Sequence, residues 1–270
     1  QGALKTDWDY VLTELFTDGK NLGALESVVE KTKSALGLSD YKVKVIPTIM
    51  YPSEFTTNFG DVDGDGVSED LSKAENRIKV IRWYIDAFIE KFNSAGFKNL
   101  ELVGFYWFEE AISSTGVDLE MINTTADLCK ERGLQLCWIP YYSARGFNSW
   151  SSYGFSVACM QPNYAFDADV PVSRLDDAIR AIKQYGMGIE LELDGKAFTD
   201  ELFYAKYMNY LSYGIKYGYM TDSIHMYYFG LKDIYTACHS SSAKLRTIYD
   251  RTYQFVKHTL RGEIDKPADV

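Results

Sequence analysis

Short apolar segments alternate with amphipathic segments along most of the chain. The short segments are rich in β-branched and aromatic residues and predict strands, whereas the amphipathic segments carry apolar residues at helical spacing. Strands are predicted at residues 42–50, 100–107, 134–140, 156–161, 187–193 and 219–228. Helices are predicted at residues 6–16, 22–36, 72–95, 118–133, 173–186, 199–218 and 243–260.

Strands that alternate with helices predict a parallel sheet, and their even spacing favours a (β/α)8 TIM-type barrel over an open doubly wound sheet. The sequence has no GxGxxG or GxxxxGK[ST] phosphate loop that would support the open sheet. A complete barrel needs eight strands and the pattern predicts six. We therefore expect residues 1–270 to be one N-terminally truncated barrel domain, completed by an upstream part of the same protein.

The composition excludes some classes of partner. A net charge of -10 and a sequence pI of about 4.9 oppose binding to nucleic acid or to anionic lipid. No apolar stretch is long enough to span a bilayer, and the chain starts at Gln1 without a charged leader. The sequence therefore predicts a processed protein that neither binds nucleic acid nor spans a membrane.

Carboxylates mark the ends of two predicted strands. Glu109 and Glu110 follow one strand, and Glu190 and Glu192 alternate with apolar residues in another, so both face the same side of it. In a (β/α) barrel the reactive groups lie at the carboxyl ends of the strands. Glycosidic bond hydrolysis needs two carboxyls, one protonated and one ionised. We expect a retaining glycoside hydrolase with Glu110 as acid/base and Glu192 as nucleophile, and with Glu109 and Glu190 as substitutes.

Aromatic rings and polar side chains follow several of the same strands. Aromatic rings offer flat apolar faces on which sugar rings can stack, and amides and hydroxyls can bind sugar hydroxyls. The residues predicted to bind carbohydrate are Trp107, Trp138, Tyr141, Tyr142, Gln161, Asn163, Tyr164, His225, Tyr227 and Tyr228.

An acidic loop provides a separate signal. Asp61, Asp63 and Asp65 occupy loop positions one, three and five, and a glycine follows at position six, which is the spacing of a calcium loop. Position twelve is a serine, so Glu69 or Asp70 would have to close the site. The loop predicts a stabilising calcium ion, with a solvated acidic loop as the alternative; no cofactor is predicted for catalysis.

Two other functions fit the same residues. A non-catalytic glycan-binding or scaffolding barrel would use the aromatic rings to hold a saccharide and the acids as structural groups. A lyase or another sugar-modifying enzyme would use tyrosine and histidine as base and acid, and His225 would then be essential. The sequence leaves these alternatives open.

Several motifs together resemble one known family. They are Gly104–Trp107 followed by Glu110, then Trp138–Tyr141, Gln161–Tyr164, Arg174 with Leu175, and Gly186–Glu192. In this order they resemble an uncharacterised bacterial, glycoside-hydrolase-like barrel family, catalogued as domain of unknown function 4855. The resemblance implies an exported protein, two further strands upstream and a carbohydrate partner. The acidic loop at residues 61–70 is not part of the family pattern.

Overall fold

The protein is built from helices and parallel strands, in a computed structural model that describes residues 2–114 and 116–262. Its residues group into two compact units. Within the described residues, unit 1 contains the chain up to residue 138 together with residues 150–156, and unit 2 contains residues 139–149 together with the chain from residue 157 onward. The two acidic strand ends therefore belong to different units, with Glu110 in unit 1 and Glu192 in unit 2.

Unit 1 starts with two helices, after which strands and helices alternate. Its elements in chain order are α1 Lys5–Phe16, α2 Asn21–Leu36, β1 Val43–Val45, β2 Thr48–Ile49, α3 Ala74–Ala95, β3 Leu100–Leu102, β4 Gly104–Trp107, α4 Asp118–Glu131 and β5 Gln135–Trp138. Left-handed glycines end α2 and α3, at Gly37 and Gly96. These two glycines allow the chain to reverse at a φ that residues with a Cβ rarely adopt.

The strands of unit 1 are all parallel to their partners. Strand β4 lies between β2 and β5, with Ile49 opposite Trp107 and Trp107 opposite Trp138. Strands β1 and β3 form a separate pair. Because neighbouring parallel strands have their carboxyl ends at the same edge, the segments that follow β2, β4 and β5 all start from one edge of unit 1.

The core of unit 1 connects its first helix to the strands. Trp8 of α1 packs edge-on against Phe59 and Tyr84, with ring centroids 5.4 Å apart in both pairs. The Tyr84 hydroxyl donates to the backbone oxygen of Thr48 in β2 at 3.0 Å. Burial of these rings stabilises α1 against α3, and the hydrogen bond fixes α3 on β2.

Unit 2 also alternates strands and helices. Its elements are β6 Val157–Met160, α5 Ser173–Tyr185, β7 Gly188–Glu192, α6 Glu201–Tyr217, α7 Tyr219–Asp222, β8 His225–Tyr228, α8 Asp233–Cys238 and α9 Ala243–Val256. Two 3-10 helices, Phe147–Tyr153 and Gly195–Phe198, complete the regular structure of the described residues. The first of these contains residue 149, where the chain passes from unit 2 back to unit 1.

Strand β7 is the central strand of unit 2. It pairs in parallel with β6 and with β8, where Glu192 lies opposite Tyr228. A Cβ atom at Gly188 would lie 2.4 Å from the Cys159 sulfur and 2.5 Å from the Ile224 oxygen, so a glycine is needed for this close approach. The segments that follow β6, β7 and β8 therefore start from one edge of unit 2.

The prediction of a (β/α)8 TIM-type barrel is wrong. In the part of the chain that the structure describes, parallel strands form no complete eight-stranded barrel. The structure is instead a mixed arrangement of parallel strands and helices. Part of the reason is local. The predicted strand at residues 42–50 divides into β1 and β2, and the one at 100–107 divides into β3 and β4. The first halves, β1 and β3, form a separate two-stranded sheet. Of the residues that the structure describes before β1, those in regular structure form the helices α1 and α2.

The predicted helices are confirmed, with small differences at their ends. The predicted strand at 219–228 is correct only for its second half, because residues 219–222 form α7 and β8 starts at His225. Tyr219 is buried and its hydroxyl donates to the backbone oxygen of Tyr210 in α6. This tertiary contact fixes an aromatic run as helix, although its residue types favour strand.

Candidate functional site

A cluster of acidic side chains lies at the edge of unit 1 where β2 and β4 end. Its members are Glu54, Glu109, Glu110 and Asp118. Asp118, the first residue of α4, is 3% exposed and accepts two hydrogen bonds. The Tyr51 hydroxyl donates to its Oδ1 at 2.7 Å, and the Ser113 amide donates to its Oδ2 at 2.8 Å. The Tyr51 ring packs edge-on against Trp107, with centroids 6.3 Å apart. Through Tyr51, Asp118 is thereby anchored to Trp107, the last residue of β4. Glu109 follows Trp107 by two residues.

Glu109 is half-buried in this cluster. Its backbone oxygen accepts a hydrogen bond from the Trp138 indole at 2.7 Å, which fixes the start of the segment after β4. Burial raises the pKa of the Glu109 carboxyl, and the negative charges of Asp118, Glu110 and Glu54 raise it further. Glu109 is therefore a carboxyl that keeps its proton to higher pH than an ordinary glutamate. Such a group can act as a general acid.

The two tryptophans predicted to bind carbohydrate in unit 1 are core residues. Trp107 and Trp138 are buried, and Trp138 stacks on Phe155 with centroids 4.9 Å apart. Neither ring offers a face to a saccharide in this arrangement. Phe108 is instead 53% exposed directly after β4, and Phe55 is 83% exposed in the segment after β2. Sequence reasoning missed both phenylalanines, although an aromatic residue directly beside an acidic strand end was a usable signal.

Glu192 of unit 2 has very different surroundings. Its side chain has no exposed surface, and its two oxygens accept hydrogen bonds from the backbone amides of Asn163 and Tyr164, both at 3.1 Å. The hydroxyl of Tyr210 in α6 donates to the same carboxyl. Burial raises the pKa of Glu192, and these donors act against that rise. Glu190 is also buried, with 8% of its surface exposed.

The other predicted residues after β5 and β6 lie in unit 2, where Tyr164 is buried and the rest are at least partly exposed. Tyr141 and Gln161 form a parallel bridge, and the Gln161 amide donates to the Ile139 oxygen at 2.7 Å. The guanidinium of Arg174 lies over the Tyr142 ring, 4.2 Å from its centroid. Asn163 is half-buried with a φ of 51°. Tyr141 and Asn163 therefore keep surface available for a ligand, whereas Tyr142 is covered by Arg174.

The last strand of unit 2 contributes one exposed ring. Tyr228 is 51% exposed and lies edge-on to Phe166, with centroids 5.6 Å apart. His225 contacts the Tyr219 oxygen at 2.5 Å through Nε2 and the Tyr227 hydroxyl at 3.4 Å through Nδ1. Burial lowers the pKa of His225. His225 and Tyr227 thus contact each other, His225 also contacts the backbone, and Tyr228 is the exposed member of the group.

The acidic loop brings three of its five predicted ligands together. Carboxylate oxygens of Asp61, Asp63 and Asp65 all lie within 4.8 Å of one another. Such a set of oxygens fits a hard cation such as Ca²⁺. Lys79 already contacts Asp63 at 2.7 Å and Glu69 at 3.9 Å, so a cation would have to displace it.

The two predicted closing ligands of this loop have other partners. Glu69 is buried and accepts from the Val62 amide at 3.1 Å, and Asp70 accepts from the Ser72 amide at 3.1 Å. Backbone amides of Gly66 and Gly64 lower the pKa of Asp61, which shows that the loop itself compensates part of the charge. Calcium binding therefore stays a prediction.

The structure thus brings the predicted catalytic acids together in two groups. Glu109 and Glu110 share the cluster in unit 1, and Glu190 and Glu192 lie on β7 in unit 2. No helix among the described residues combines the length and the apolar character that crossing a membrane would require.

One family model matches residues 1–254, and its description is domain of unknown function (DUF4855). Neither a curated protein nor a solved structure matches the chain.

Proposed function

The chain belongs to the DUF4855 family, and from its own residues we propose that it is a glycoside hydrolase in which Glu109 donates the proton. The observation that carries this proposal is the half-buried Glu109 carboxyl, whose pKa is raised by burial and by three neighbouring acids. Hydrolysis of a glycosidic bond begins with protonation of the leaving oxygen. A carboxyl whose pKa is raised keeps its proton to higher pH than an ordinary glutamate does, which suits it to that step.

Glu110 supplies the second carboxylate of the same cluster. Its negative charge helps to raise the pKa of Glu109, so the pair combines a carboxyl that favours protonation with a neighbouring anion. An anion beside the sugar can stabilise the positive charge that develops in the transition state or attack the anomeric carbon. This assignment differs from the one expected from the sequence, in which Glu110 was the acid/base, Glu192 the nucleophile, and Glu109 and Glu190 the substitutes.

Unit 2 supports the binding of a saccharide. Tyr141, Asn163 and Tyr228 all keep exposed surface in the segments after β5, β6 and β8. Their ring faces and amide provide the stacking and hydrogen-bonding groups that sugar rings need. Carbohydrate is therefore the partner we propose. Export from a bacterial cell stays a prediction from the family resemblance.

A second candidate is a glycan-binding protein without turnover. The complete burial of Glu192 favours it, because a carboxylate that is enclosed and bonded to three donors is a structural group and not one that meets a substrate. This candidate shares the saccharide with the hydrolase and differs from it only in turnover.

Release of reducing sugar from a panel of plant and host polysaccharides tests the proposal. We expect wild-type protein to release sugar from at least one of them, and Glu109→Gln to reduce kcat by about 100-fold or more, because the amide has no proton to donate. Glu101→Gln is the matched control, since Glu101 is exposed on β3 of the same unit. The anomer formed first, identified by NMR, tests the predicted retention.

Binding without release would support the second candidate, and full activity of Glu109→Gln would refute Glu109 as the acid.

A further inference from the structure

The backbone of Tyr164 is bound on both sides by buried ionisable side chains. Its amide donates to Glu192 at 3.1 Å, and its carbonyl oxygen accepts from the Lys206 ammonium, also at 3.1 Å. Glu192 has no exposed surface and Lys206 is 2% exposed. Two side chains that are normally found in water are therefore enclosed around the backbone of one residue.

Lys206 makes further contacts with the same segment. Its ammonium donates to the Val170 oxygen at 2.6 Å and lies 3.9 Å from the centroid of the Tyr164 ring. Within residues 2–114 and 116–262, it forms no ion pair with a carboxylate at 4.0 Å or less. Burial of an ammonium without a paired carboxylate is unfavourable unless hydrogen bonds compensate for lost water. Here the backbone of residues 164–170 provides them.

Helix α6 supplies two more contacts to this segment. Asn209 donates to the Tyr164 hydroxyl at 2.9 Å, and Tyr210 donates to Glu192 and packs edge-on against the Tyr164 ring. Together with Lys206, these side chains hold the segment at residues 161–170, which we call the Tyr164 segment. A surface segment is rarely fixed by so many buried polar groups, because each must find a partner.

The Tyr164 segment carries groups that a saccharide could contact. Asn163 precedes Tyr164 with a φ of 51°, a conformation that non-glycine residues adopt only when their surroundings fix it. Phe166 follows, partly exposed, and lies edge-on to the exposed ring of Tyr228. A shift of Tyr164 would move both Asn163 and Phe166.

We propose that Glu192 and Lys206 are a pair of positioning residues, which fix Tyr164 so that Asn163 and Phe166 are held in place to bind a saccharide. This inference depends on the proposed function only for the identity of the ligand. It gives Glu192 a role different from the nucleophile expected from the sequence. The pair acts through the Tyr164 segment, and neither member touches the sugar.

Hydrogen exchange of the full chain without ligand tests the first half of this inference. In Lys206→Met, the Asn163 and Tyr164 amides should exchange about 10-fold faster, because the variant removes both hydrogen bonds from the ammonium to the Tyr164 segment. Amides of α5 should not change. Lys216→Met is the matched control, because Lys216 is exposed on the same helix. Unchanged exchange at both amides in Lys206→Met would overturn the inference, whether or not any saccharide binds.

Calorimetric titration tests the second half, with cellohexaose, xylohexaose, mannohexaose and chitohexaose as probes. For the probe that wild-type protein binds, Lys206→Met should raise Kd by about 10-fold. Lys206→Arg keeps the charge and the donors and should restore part of the affinity. Should Lys206→Met fail to fold, Tyr210→Phe replaces it in both measurements.

The outcomes separate the two proposals. Faster exchange with an unchanged Kd would show that the pair is merely structural and would overturn the positioning role. Absence of binding by wild-type protein to every probe would count against the proposed saccharide ligand, and the exchange result would still decide whether the pair fixes the segment.

Discussion

The two acidic strand ends look alike in the sequence and differ in their physical state. Glu109 of unit 1 is half-buried among other acids, and the negative charges of these acids contribute to the raised pKa of its carboxyl. Glu192 of unit 2 is fully enclosed and bonded to two backbone amides and one tyrosine hydroxyl. The position of an acid at the end of a strand therefore does not decide whether it can react. The donors and charges around it do.

This difference separates two uses of a carboxylate. Like charges and partial exposure leave Glu109 able to exchange a proton with a ligand. A complete set of donors leaves Glu192 able to hold other groups in place, because each oxygen already has a partner. Four predictions can break or sharpen the comparison.

The largest expected effect is on stability, from truncation of the two acids. Glu192→Ala removes the acceptor for three buried donors and leaves a cavity, so it should lower the free energy of unfolding by about 3 kcal/mol or more. Glu109→Ala is expected to change it by less than about 1 kcal/mol. Urea denaturation of both variants measures the difference. Equal losses in the free energy of unfolding would mean that the two acids contribute equally to stability, which would contradict the comparison.

Removal of a single donor should have a smaller effect. Tyr210→Phe deletes the hydroxyl that donates to Glu192 and keeps the ring that packs on Tyr164. We expect a loss of about 1–3 kcal/mol in the free energy of unfolding, since the bond is buried and its acceptor is an acid. Tyr253→Phe is a suitable control because Tyr253 is exposed on α9 of the same unit. A neutral Tyr210→Phe would show that the amides alone satisfy Glu192.

Local sequence signals were enough to predict most helices. Apolar spacing and terminal glycines such as Gly96 and Gly186 report on the nearest few residues, and the observed helices end there. The strands were harder. Residues 42–50 predict one strand, but the chain divides it at Pro47, which has no amide hydrogen for a strand ladder. The number of strands, and therefore the barrel, could not be obtained from such segments.

The candidate site was predicted by residue type and not by environment. The sequence marks Glu109, Glu110, Glu190 and Glu192 as acids at strand ends, and the structure places all four at or near the carboxyl ends of β4 and β7. The sequence gives no sign that Glu192 is enclosed, because the groups that donate hydrogen bonds to it come from the distant residues 163, 164 and 210. The burial of Trp107 and Trp138 depends likewise on distant packing. Contacts of this kind are set by the tertiary fold.

The pH dependence of stability gives a third prediction. Because the pKa of Glu192 is raised in the folded state, the folded protein binds this proton more tightly than the unfolded chain, whose glutamates titrate near 4.5. The stabilisation is therefore complete below about pH 4.5 and is lost as the pH rises through the folded-state pKa, at about 1.4 kcal/mol for each unit by which the pKa is raised. Glu192→Gln should remove this loss, as followed by urea denaturation between pH 4 and pH 8.

Glu109→Gln serves as the comparison for this measurement. Glu109→Gln should reduce the pH dependence of the free energy of unfolding less than Glu192→Gln does. The reason is that Glu109 is partly exposed and water screens its charge. A larger flattening in Glu109→Gln would reverse the order of the two acids.

The smallest effect is expected from Asp118, which acts on Glu109 through its charge. Asp118→Asn keeps the size of the side chain and an oxygen for Tyr51, and removes one of the negative charges that raise the pKa of Glu109. The pKa of Glu109 should fall but stay raised, because burial is the larger cause and remains. Titration of the Glu109 carboxyl by ¹³C NMR measures this fall in pKa without a substrate.

If the protein hydrolyses a glycoside, the alkaline limb of its pH–rate profile should move to lower pH by the same amount, since that limb reports loss of the proton from the acid. An upward shift, or none in either measurement, would mean that Glu109 owes its proton affinity to burial alone, and the cluster of acids in unit 1 would lose its part in the contrast with Glu192.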